Sequence, residues 1–112
     1  RDLAIKLLTG RSVTYGWEVD RAVRALITAR GFGPDFNHRL GHSLGRGTCH
    51  GPCANLDDFE THDTRRLLPG LAVTVEPGIY PGPFGVRSEV NVLITETGAE
   101  VTTPVQSEPY WL

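Results

Sequence analysis

The feature that most constrains the fold is the alternation of apolar and polar residues in two segments of the second half of the chain. In the segment 71–76 every second residue is aliphatic, and Glu76 falls on the opposite side. The segment 86–95 has Val86, Ser88, Val90, Val92 and Ile94 on one face and Arg87, Glu89 and Asn91 on the other. A period of two is that of a β-strand. The residues Glu-Thr-Gly-Ala at 96–99 form a hairpin signal, so the second strand is predicted to turn back into residues 101–103.

Two helices are predicted before these strands. Apolar residues between Leu3 and Leu8 indicate the end of a helix that Gly10 closes, and a clearer helical period runs from about residue 18 to residue 30, where Gly31 supplies the stop. The polar side of the second helix is expected to be a solvated surface; it carries Asp20, Arg21, Arg24 and Arg30. Helices followed by strands indicate an α+β fold.

The segment 31–69 lacks a strong period and is rich in glycine, asparagine and aspartate. Loops with short strands are predicted there, and a long segment of this kind often carries function. Its acidic residues Asp57, Asp58 and Asp63 are interpreted as a solvated loop and not as metal ligands.

Composition limits the class of protein. A chain of 112 residues is long enough for one domain, and its formal net charge of -2 provides no field that would attract nucleic acid or a membrane surface. No stretch approaches the roughly 20 apolar residues of a membrane span. Two cysteines are too few for a disulfide scaffold and indicate a reducing, cytoplasmic environment. Because the sequence has no methionine and opens inside an amphipathic helical pattern, we expect it to be a piece of a longer protein.

Side chains of the metal-binding types recur at long intervals. His38 and His42 lie in a glycine-containing stretch that disfavours a helix, so a strand or loop is predicted to present both imidazoles on one side. Glu76 and Glu89 lie opposite the aliphatic residues, and exposed surface carboxylates are the alternative interpretation of each. Arg87 shares a face with Glu89 and would keep a carboxylate ionised, as a metal ligand must be. One histidine and two glutamates suffice for one catalytic metal, whereas a dinuclear site requires more carboxylates.

A second group of candidate ligands consists of Cys49, His50, Cys53 and His62. A Cys-x-x-x-Cys pair with nearby histidines is compatible with one structural zinc, but no second close pair completes a zinc motif and the spacing is looser than zinc ribbons use. A cysteine–histidine nucleophile has no acidic or amide partner that the sequence identifies. Both interpretations rank below a site built on His42.

Three motifs, in this order and spacing, carry a resemblance to a known family. They are Gly41-His42-Ser43-Leu44-Gly45, then Leu68-Pro69-Gly70 leading to Val75-Glu76-Pro77-Gly78-Ile79-Tyr80, then Gly85-Val86-Arg87-Ser88-Glu89. Together they resemble the C-terminal half of the catalytic domain of the pita-bread metallopeptidases, in particular the prolidase and Xaa-Pro aminopeptidase branch. The resemblance covers nearly the whole of residues 1–112 and implies helices packed on a curved antiparallel sheet.

The resemblance implies a site with two divalent metal ions, manganese, cobalt or zinc, held by two aspartates, one histidine and two glutamates. By motif, His42 is the histidine ligand, Glu89 bridges both metals, and Glu76 is a ligand that also serves as general base or acid. The two aspartates belong to the N-terminal half of the fold, which residues 1–112 lack. After the bridging glutamate, Val90 stands where the family often has aspartate.

Three further residues receive roles from the resemblance. His38 is implied beside the substrate carbonyl, and Arg87 is implied to orient the bridging carboxylate. The family's substrate-binding histidine normally lies seven residues after the ligand histidine. Here Cys49 occupies that position and the imidazole follows as His50, so residues 46–48 must absorb one inserted residue.

Two hypotheses from different classes follow from these implications. In the first, the chain is part of a dinuclear metal-dependent aminopeptidase or dipeptidase that cleaves peptides at Xaa-Pro bonds by metal-activated water, and the isolated 112 residues are inactive and bind one metal weakly or none. In the second, it is a non-catalytic pita-bread module that binds peptides or proteins. Retention of His42, Glu76 and Glu89 favours the first. Half of such a fold exposes an apolar face, so assembly into a homo-oligomer is also considered.

Overall fold

The structure, a computed structural model, describes residues 1–110. Within them two α-helices precede five short strands: α1 Asp2–Thr9, α2 Gly16–Ala29, β1 Ala72–Val75, β2 Gly78–Ile79, β3 Val86–Arg87, β4 Val90–Thr95 and β5 Gly98–Val101. A 3-10 turn, Gly33–Asp35, follows α2. The α+β prediction is confirmed, and Gly31 follows the end of α2 with a φ of 88°, a left-handed conformation that glycine adopts without strain. Neither helix in this part of the chain is long and apolar enough to cross a membrane.

The main sheet contains three antiparallel strands in the order β1-β4-β5. The side chains of Val90, Val92 and Ile94 in β4 are buried, in agreement with the alternation in the sequence. Thr95 pairs with Gly98, so the predicted hairpin forms with a turn of two residues, and its second strand runs from Gly98 to Val101 instead of 101–103.

The single strand predicted from 86 to 95 is wrong. Its first two residues form β3, which pairs with β2 in a separate two-stranded ribbon, whereas its later residues form β4. Pro77 has no N–H to donate to a strand ladder and separates β1 from β2. Its carbonyl oxygen accepts a hydrogen bond from the Ser88 N–H at 3.3 Å. This bond connects the break between β1 and β2 to the break between β3 and β4. Val86 is consequently 67% exposed instead of facing the core.

The hydrophobic core lies where the helices meet the main sheet. Its buried residues are Ala4, Leu8, Val19, Val23, Phe36, Leu40, Leu56, Val73, Val75, Val90, Val92 and Ile94. β1 is buried from Val73 to Val75, including the polar Thr74 between them. A strand covered in this way has neighbours on both of its faces.

The prediction that the polar side of α2 is solvated is wrong for two of its four residues. Arg21 and Arg30 are exposed. Asp20, however, is fully buried and accepts a hydrogen bond from Arg24 at 2.9 Å. A buried carboxylate persists only where hydrogen bonds and an opposite charge replace water.

The interpretation of the aspartates at 57–63 as a solvated loop is also wrong. Asp57 is fully buried, and its carboxylate accepts hydrogen bonds from the backbone N–H groups of residues 59–61. Asp63 is 6% exposed. These carboxylates organise the loop by satisfying its backbone donors.

Candidate functional site

The segment 41–45 lies beside β1 and brings His42 to that strand. The Thr74 N–H donates a hydrogen bond to the His42 carbonyl oxygen at 2.9 Å. Gly41 permits the close approach, because a Cβ there would lie 1.9 Å from the carbonyl oxygen of Thr74. This backbone pairing places the His42 imidazole against the Glu76 carboxylate.

His42 and Glu76 form the centre of the site. His42 Nε2 lies 3.2 Å from Glu76 Oε1, and each side chain is 12% exposed. On the other side of the ring, Nδ1 lies 3.0 Å from the carbonyl oxygen of Ser43. Because a carbonyl oxygen can only accept, Nδ1 carries a proton, and the neutral imidazole presents a lone pair at Nε2 to a carboxylate oxygen. Two lone pairs at this distance require a proton or a metal ion between them.

Thr74 is a residue of the site that the sequence interpretation did not identify. Its hydroxyl oxygen accepts a hydrogen bond from the His42 backbone N–H and donates one to Glu76 Oε1, both at 2.9 Å. Thr74 is 2% exposed. Its position two residues before Glu76 on an alternating strand was a signal that the two share a face. The contact with His42 depends on a pairing across 32 residues of sequence.

Arg87 extends the site from Glu76 towards His38. Its guanidinium donates to Glu76 Oε2 at 3.2 Å and to the Tyr80 hydroxyl at 2.8 Å, and Nη2 lies 3.4 Å from His38 Nε2. The sequence interpretation placed Arg87 beside Glu89, because the two share a strand face. In the structure its carboxylate partner is Glu76, since β3 has left the main sheet.

His38 is oriented by contacts on both ring nitrogens. Nδ1 lies 2.7 Å from the Arg39 carbonyl oxygen and therefore donates to it. Nε2 is left to accept from Arg87. The ring meets Phe36 edge-on, with 5.2 Å between the centroids. His38 and His42 thus approach Glu76 from two directions, one through Arg87 and one directly.

His50 also reaches the site. Its ring packs on the His42 ring with 4.1 Å between the centroids, and its Nδ1 lies 3.2 Å from Cys49 Sγ. The inserted residue is accommodated in a tight turn in which the Gly45 N–H donates to the Thr48 carbonyl oxygen at 3.1 Å. The imidazole after Cys49 therefore lies beside His42 despite the altered spacing.

Glu89 does not join this cluster. It is exposed and, with Arg87, lines a groove of about 520 Å³ that the segment 106–110 also borders. Among residues 1–110, no three histidine, cysteine, aspartate or glutamate side chains are arranged to hold a metal ion. The role of Glu89 as a bridging ligand stays a prediction.

The same observation gives no support to a structural zinc site. Cys49 and Cys53 are free and exposed. His62 Nδ1 lies 2.6 Å from Asp58 Oδ1, and its ring packs on Trp17 with 4.8 Å between the centroids. His62 is therefore engaged with Asp58 and Trp17, apart from the contact between Cys49 and His50.

A chain of hydrogen bonds supports the Ser43 carbonyl that orients His42. The Ser43 N–H donates to Asn55 Oδ1 at 2.9 Å, and the Asn55 N–H donates to Asp63 Oδ2 at 2.8 Å. The side-chain hydrogen bonds of Arg65 lower the pKa of Asp63 from its ordinary 3.8 to about 2. The ionised carboxylate of Asp63 thus anchors the loop beneath the site.

Comparison with known proteins extends the resemblance. The family model for metallopeptidase family M24 matches residues 2–96. An uncharacterized peptidase of Staphylococcus saprophyticus is 42% identical over 87 residues, which are 77% of this chain and 23% of that protein.

Solved structures are similar over most of the chain. The prolidase of Pyrococcus horikoshii OT3 superposes with a TM-score of 0.74 at 35% identity, over 85% of this chain and 26% of that one. The X-Pro aminopeptidase of Thermotoga maritima MSB8 superposes with a TM-score of 0.76 at 33% identity, over 94% of this chain and 29% of that one. The chain thus spans about a quarter of the length of these relatives, and the resemblance carried by the three motifs is confirmed.

Proposed function

This chain belongs to metallopeptidase family M24, and we propose from that premise that it is the C-terminal portion of a catalytic domain that hydrolyses peptides at Xaa-Pro bonds. The observation that carries the proposal is the contact between His42 Nε2 and Glu76 Oε1, which lie 3.2 Å apart. The other ring nitrogen of His42 donates a hydrogen bond to the Ser43 carbonyl oxygen. The names of the similar structures, a prolidase and an X-Pro aminopeptidase, support this class of substrate.

The donor set at the centre of the site fits a divalent metal ion. Imidazole nitrogen and carboxylate oxygen are ligands that zinc, cobalt and manganese accept. The hydrogen bond from His42 Nδ1 to the Ser43 carbonyl oxygen orients the ring, and histidines that bind metals are usually oriented by such a bond from the other ring nitrogen. We assign His42 and Glu76 to a site for two such ions, with Glu89 as the bridging carboxylate and two aspartates from the N-terminal half of the domain. When bound, the ions would polarise the peptide carbonyl and activate a water molecule.

The surrounding side chains have separate tasks in this proposal. Glu76 moves a proton during hydrolysis, and it is held for this by Thr74 at Oε1 and by Arg87 at Oε2. His38 lies beside the substrate carbonyl on the Arg87 side, and His50 contacts the substrate from the side of the His42 ring. Both imidazoles are supported in these roles by their positions at the edges of the same cluster.

The chemistry of the site suits a bond that precedes proline. Such a bond is a tertiary amide and lacks the N–H that general peptidases hold. Recognition through the carbonyl oxygen requires only donors and cations, which the Arg87 guanidinium supplies and the proposed metal ions would supply when bound. A Xaa-Pro peptide is therefore the proposed substrate.

Hydrolysis by the complete protein tests the assignment of the central pair. His42→Ala and Glu76→Gln should each reduce hydrolysis of a Xaa-Pro dipeptide to background in the presence of Mn²⁺. Glu100→Gln removes an exposed carboxylate from β5 and serves as the matched control, which should retain wild-type activity. Wild-type turnover in either central variant would contradict the proposal.

The isolated 112 residues should not hydrolyse a Xaa-Pro peptide, because two of the five proposed ligands lie outside them. Appreciable hydrolysis by the purified chain with Mn²⁺ would refute this expectation. The alternative, a non-catalytic module that binds peptides or proteins, is distinguished by the sequence that precedes Arg1 in the complete protein. Two aspartates separated by roughly ten residues on a pair of strands support the enzyme, and their absence supports the binding module.

Assembly into a homo-oligomer also stays a prediction. Phe84 and Val86 are each 67% exposed and Tyr110 is 86% exposed, so apolar surface is available at the β2–β3 ribbon and beside it. Size-exclusion chromatography with light scattering would measure the mass in solution, and a monomer at all concentrations would exclude the assembly.

A further inference from the structure

An ion pair on α2, formed by the buried Asp20 and the partly exposed Arg24, reaches the segment that carries the candidate site. Asp20 is fully buried, and its carboxylate accepts hydrogen bonds from Arg24 Nη2 at 2.9 Å and from the Asp58 N–H at 2.7 Å. The Arg24 guanidinium carbon lies 4.1 Å from the ring centroid of Phe36 and 4.3 Å from that of Phe59. The guanidinium is thus fixed by a charge at one edge and by aromatic rings around it.

Arg24 uses this fixed guanidinium to hold the main chain at His38. Nη1 donates to the Phe36 carbonyl oxygen and Nη2 donates to the His38 carbonyl oxygen, both at 2.8 Å. The Phe36 ring that Arg24 contacts is also the ring that the His38 imidazole meets edge-on. One guanidinium therefore holds both the backbone that carries the imidazole and the surface on which it rests.

Stability alone is a poor explanation for this arrangement. Removing two charges from water costs several kcal/mol per ion in general, and apolar replacements of buried ion pairs are often neutral or stabilising. Arg24 Nε is buried and has no hydrogen-bond partner within residues 1–110. Burial also raises the pKa of Asp20 in spite of the nearby guanidinium. The pair lies where its guanidinium donates a hydrogen bond to the backbone of His38.

We propose that Arg24, anchored by Asp20, is a positioning residue that fixes the orientation and the tautomer of His38 at the candidate site. With the backbone held, Nδ1 donates to the Arg39 carbonyl oxygen and Nε2 faces Arg87. The importance of His38 for hydrolysis rests on the proposed function, whereas its orientation can be measured without any substrate.

Nitrogen-15 NMR of the histidine rings in the complete protein, prepared without metal, tests the proposal. In mildly alkaline buffer, wild-type His38 should show a protonated Nδ1 and an unprotonated Nε2. Arg24→Met keeps an apolar stem of similar length and removes all donors. It should shift both ring signals of His38 towards a mixture of the two tautomers.

Val23→Ala is the matched control, because it removes buried methyl groups from the same helix and leaves the guanidinium in place. It should lower the midpoint of thermal unfolding without changing the His38 signals. Wild-type signals in folded Arg24→Met, or an equal change in Val23→Ala, would overturn the proposal. The result is independent of peptidase activity, so a failed peptidase assay and a failed positioning role remain distinguishable.

Arg24→Lys provides a second test if Arg24→Met does not fold. An ammonium keeps the charge but cannot place donors in the plane that joins two carbonyl oxygens and a carboxylate. The same change of the His38 signals, smaller in size, is expected. Wild-type signals in Arg24→Lys would refute the requirement for the planar group.

Discussion

Replacing Asp63 by asparagine tests how the loop beneath the candidate site is anchored. Asp63 is 6% exposed, and its carboxylate accepts hydrogen bonds from the backbone N–H groups of Asn55 at 2.8 Å and Arg65 at 3.0 Å, as well as from the Arg65 guanidinium. Asparagine has the same shape and retains one acceptor oxygen, so the variant removes the charge with little change of volume.

The size of the effect follows from the pKa of Asp63, which is lowered from 3.8 to about 2, mainly by the side-chain hydrogen bonds of Arg65. At about 1.36 kcal/mol per pKa unit this lowering corresponds to about 2.4 kcal/mol. The Arg65 side chain is 52% exposed, so solvent screening reduces the contribution. We expect Asp63→Asn to lower the free energy of unfolding at pH 7 by about 1–2 kcal/mol.

The sign of the pH dependence is fixed by the direction of the pKa change. A carboxyl whose pKa is lower in the folded state binds fewer protons there, so its contribution is complete above the unfolded pKa and is lost as the pH falls towards the folded value. The difference in stability between the wild type and Asp63→Asn should therefore be constant from about pH 7 to pH 5 and shrink between about pH 5 and pH 2.

Urea unfolding followed by far-ultraviolet circular dichroism, at a series of pH values, measures this difference directly. Other carboxylates titrate in both proteins and cancel in the comparison. Glu100→Gln, which removes an exposed carboxylate, should stay within about 0.5 kcal/mol of the wild type. A difference between the wild type and Asp63→Asn that does not change between pH 7 and pH 3 would refute the electrostatic explanation and assign the loss to packing.

Three further substitutions test the packing around the site by the same unfolding measurement. Thr74→Val leaves the His42 N–H without its acceptor and should lower the free energy of unfolding by about 1–3 kcal/mol. Thr74→Ser keeps the hydroxyl and should retain most of the wild-type stability. Equal losses in the two variants would contradict the hydrogen-bond role. Gly41→Ala should cost about 3 kcal/mol or prevent folding, because its Cβ meets a backbone carbonyl at 1.9 Å, and a stable variant would show that the segment can move away from β1. Leu56→Ala, at a fully buried position, should cost about 2–5 kcal/mol, and a smaller loss would indicate that the core collapses into the space.

The parts of the site that sequence predicted are those that local patterns encode. Alternation correctly placed Glu76 away from the aliphatic residues of its strand, whereas the even spacing of His38 and His42 predicted one common side and the two rings approach Glu76 from different directions. Both imidazoles converge on Glu76 in the structure, one directly and one through Arg87. The role of Glu89 is not tested by the structure.

Two of the errors share one cause, which is that a partner of the polar side chain is distant in sequence. Asp20 was assigned to solvent because only its helical period was visible, yet its backbone partner Asp58 lies 38 residues later. Arg87 was assigned to Glu89 by strand alternation, but the strand breaks after residue 87. Periodicity reports which side of an element faces inward and contains no information on which donor compensates a buried charge.

The sequence by itself determined the α+β class, the β4–β5 hairpin and, through three motifs, the family to which the chain belongs. These depend on interactions between residues close in the chain or on spacing within short motifs. Only the tertiary structure decided that Thr74 joins His42 to Glu76, and that Arg24 holds the backbone of His38. The contact of Thr74 with His42 exists because the segment 41–45 can approach β1 closely at Gly41, which is a property of the packed chain and not of either segment alone.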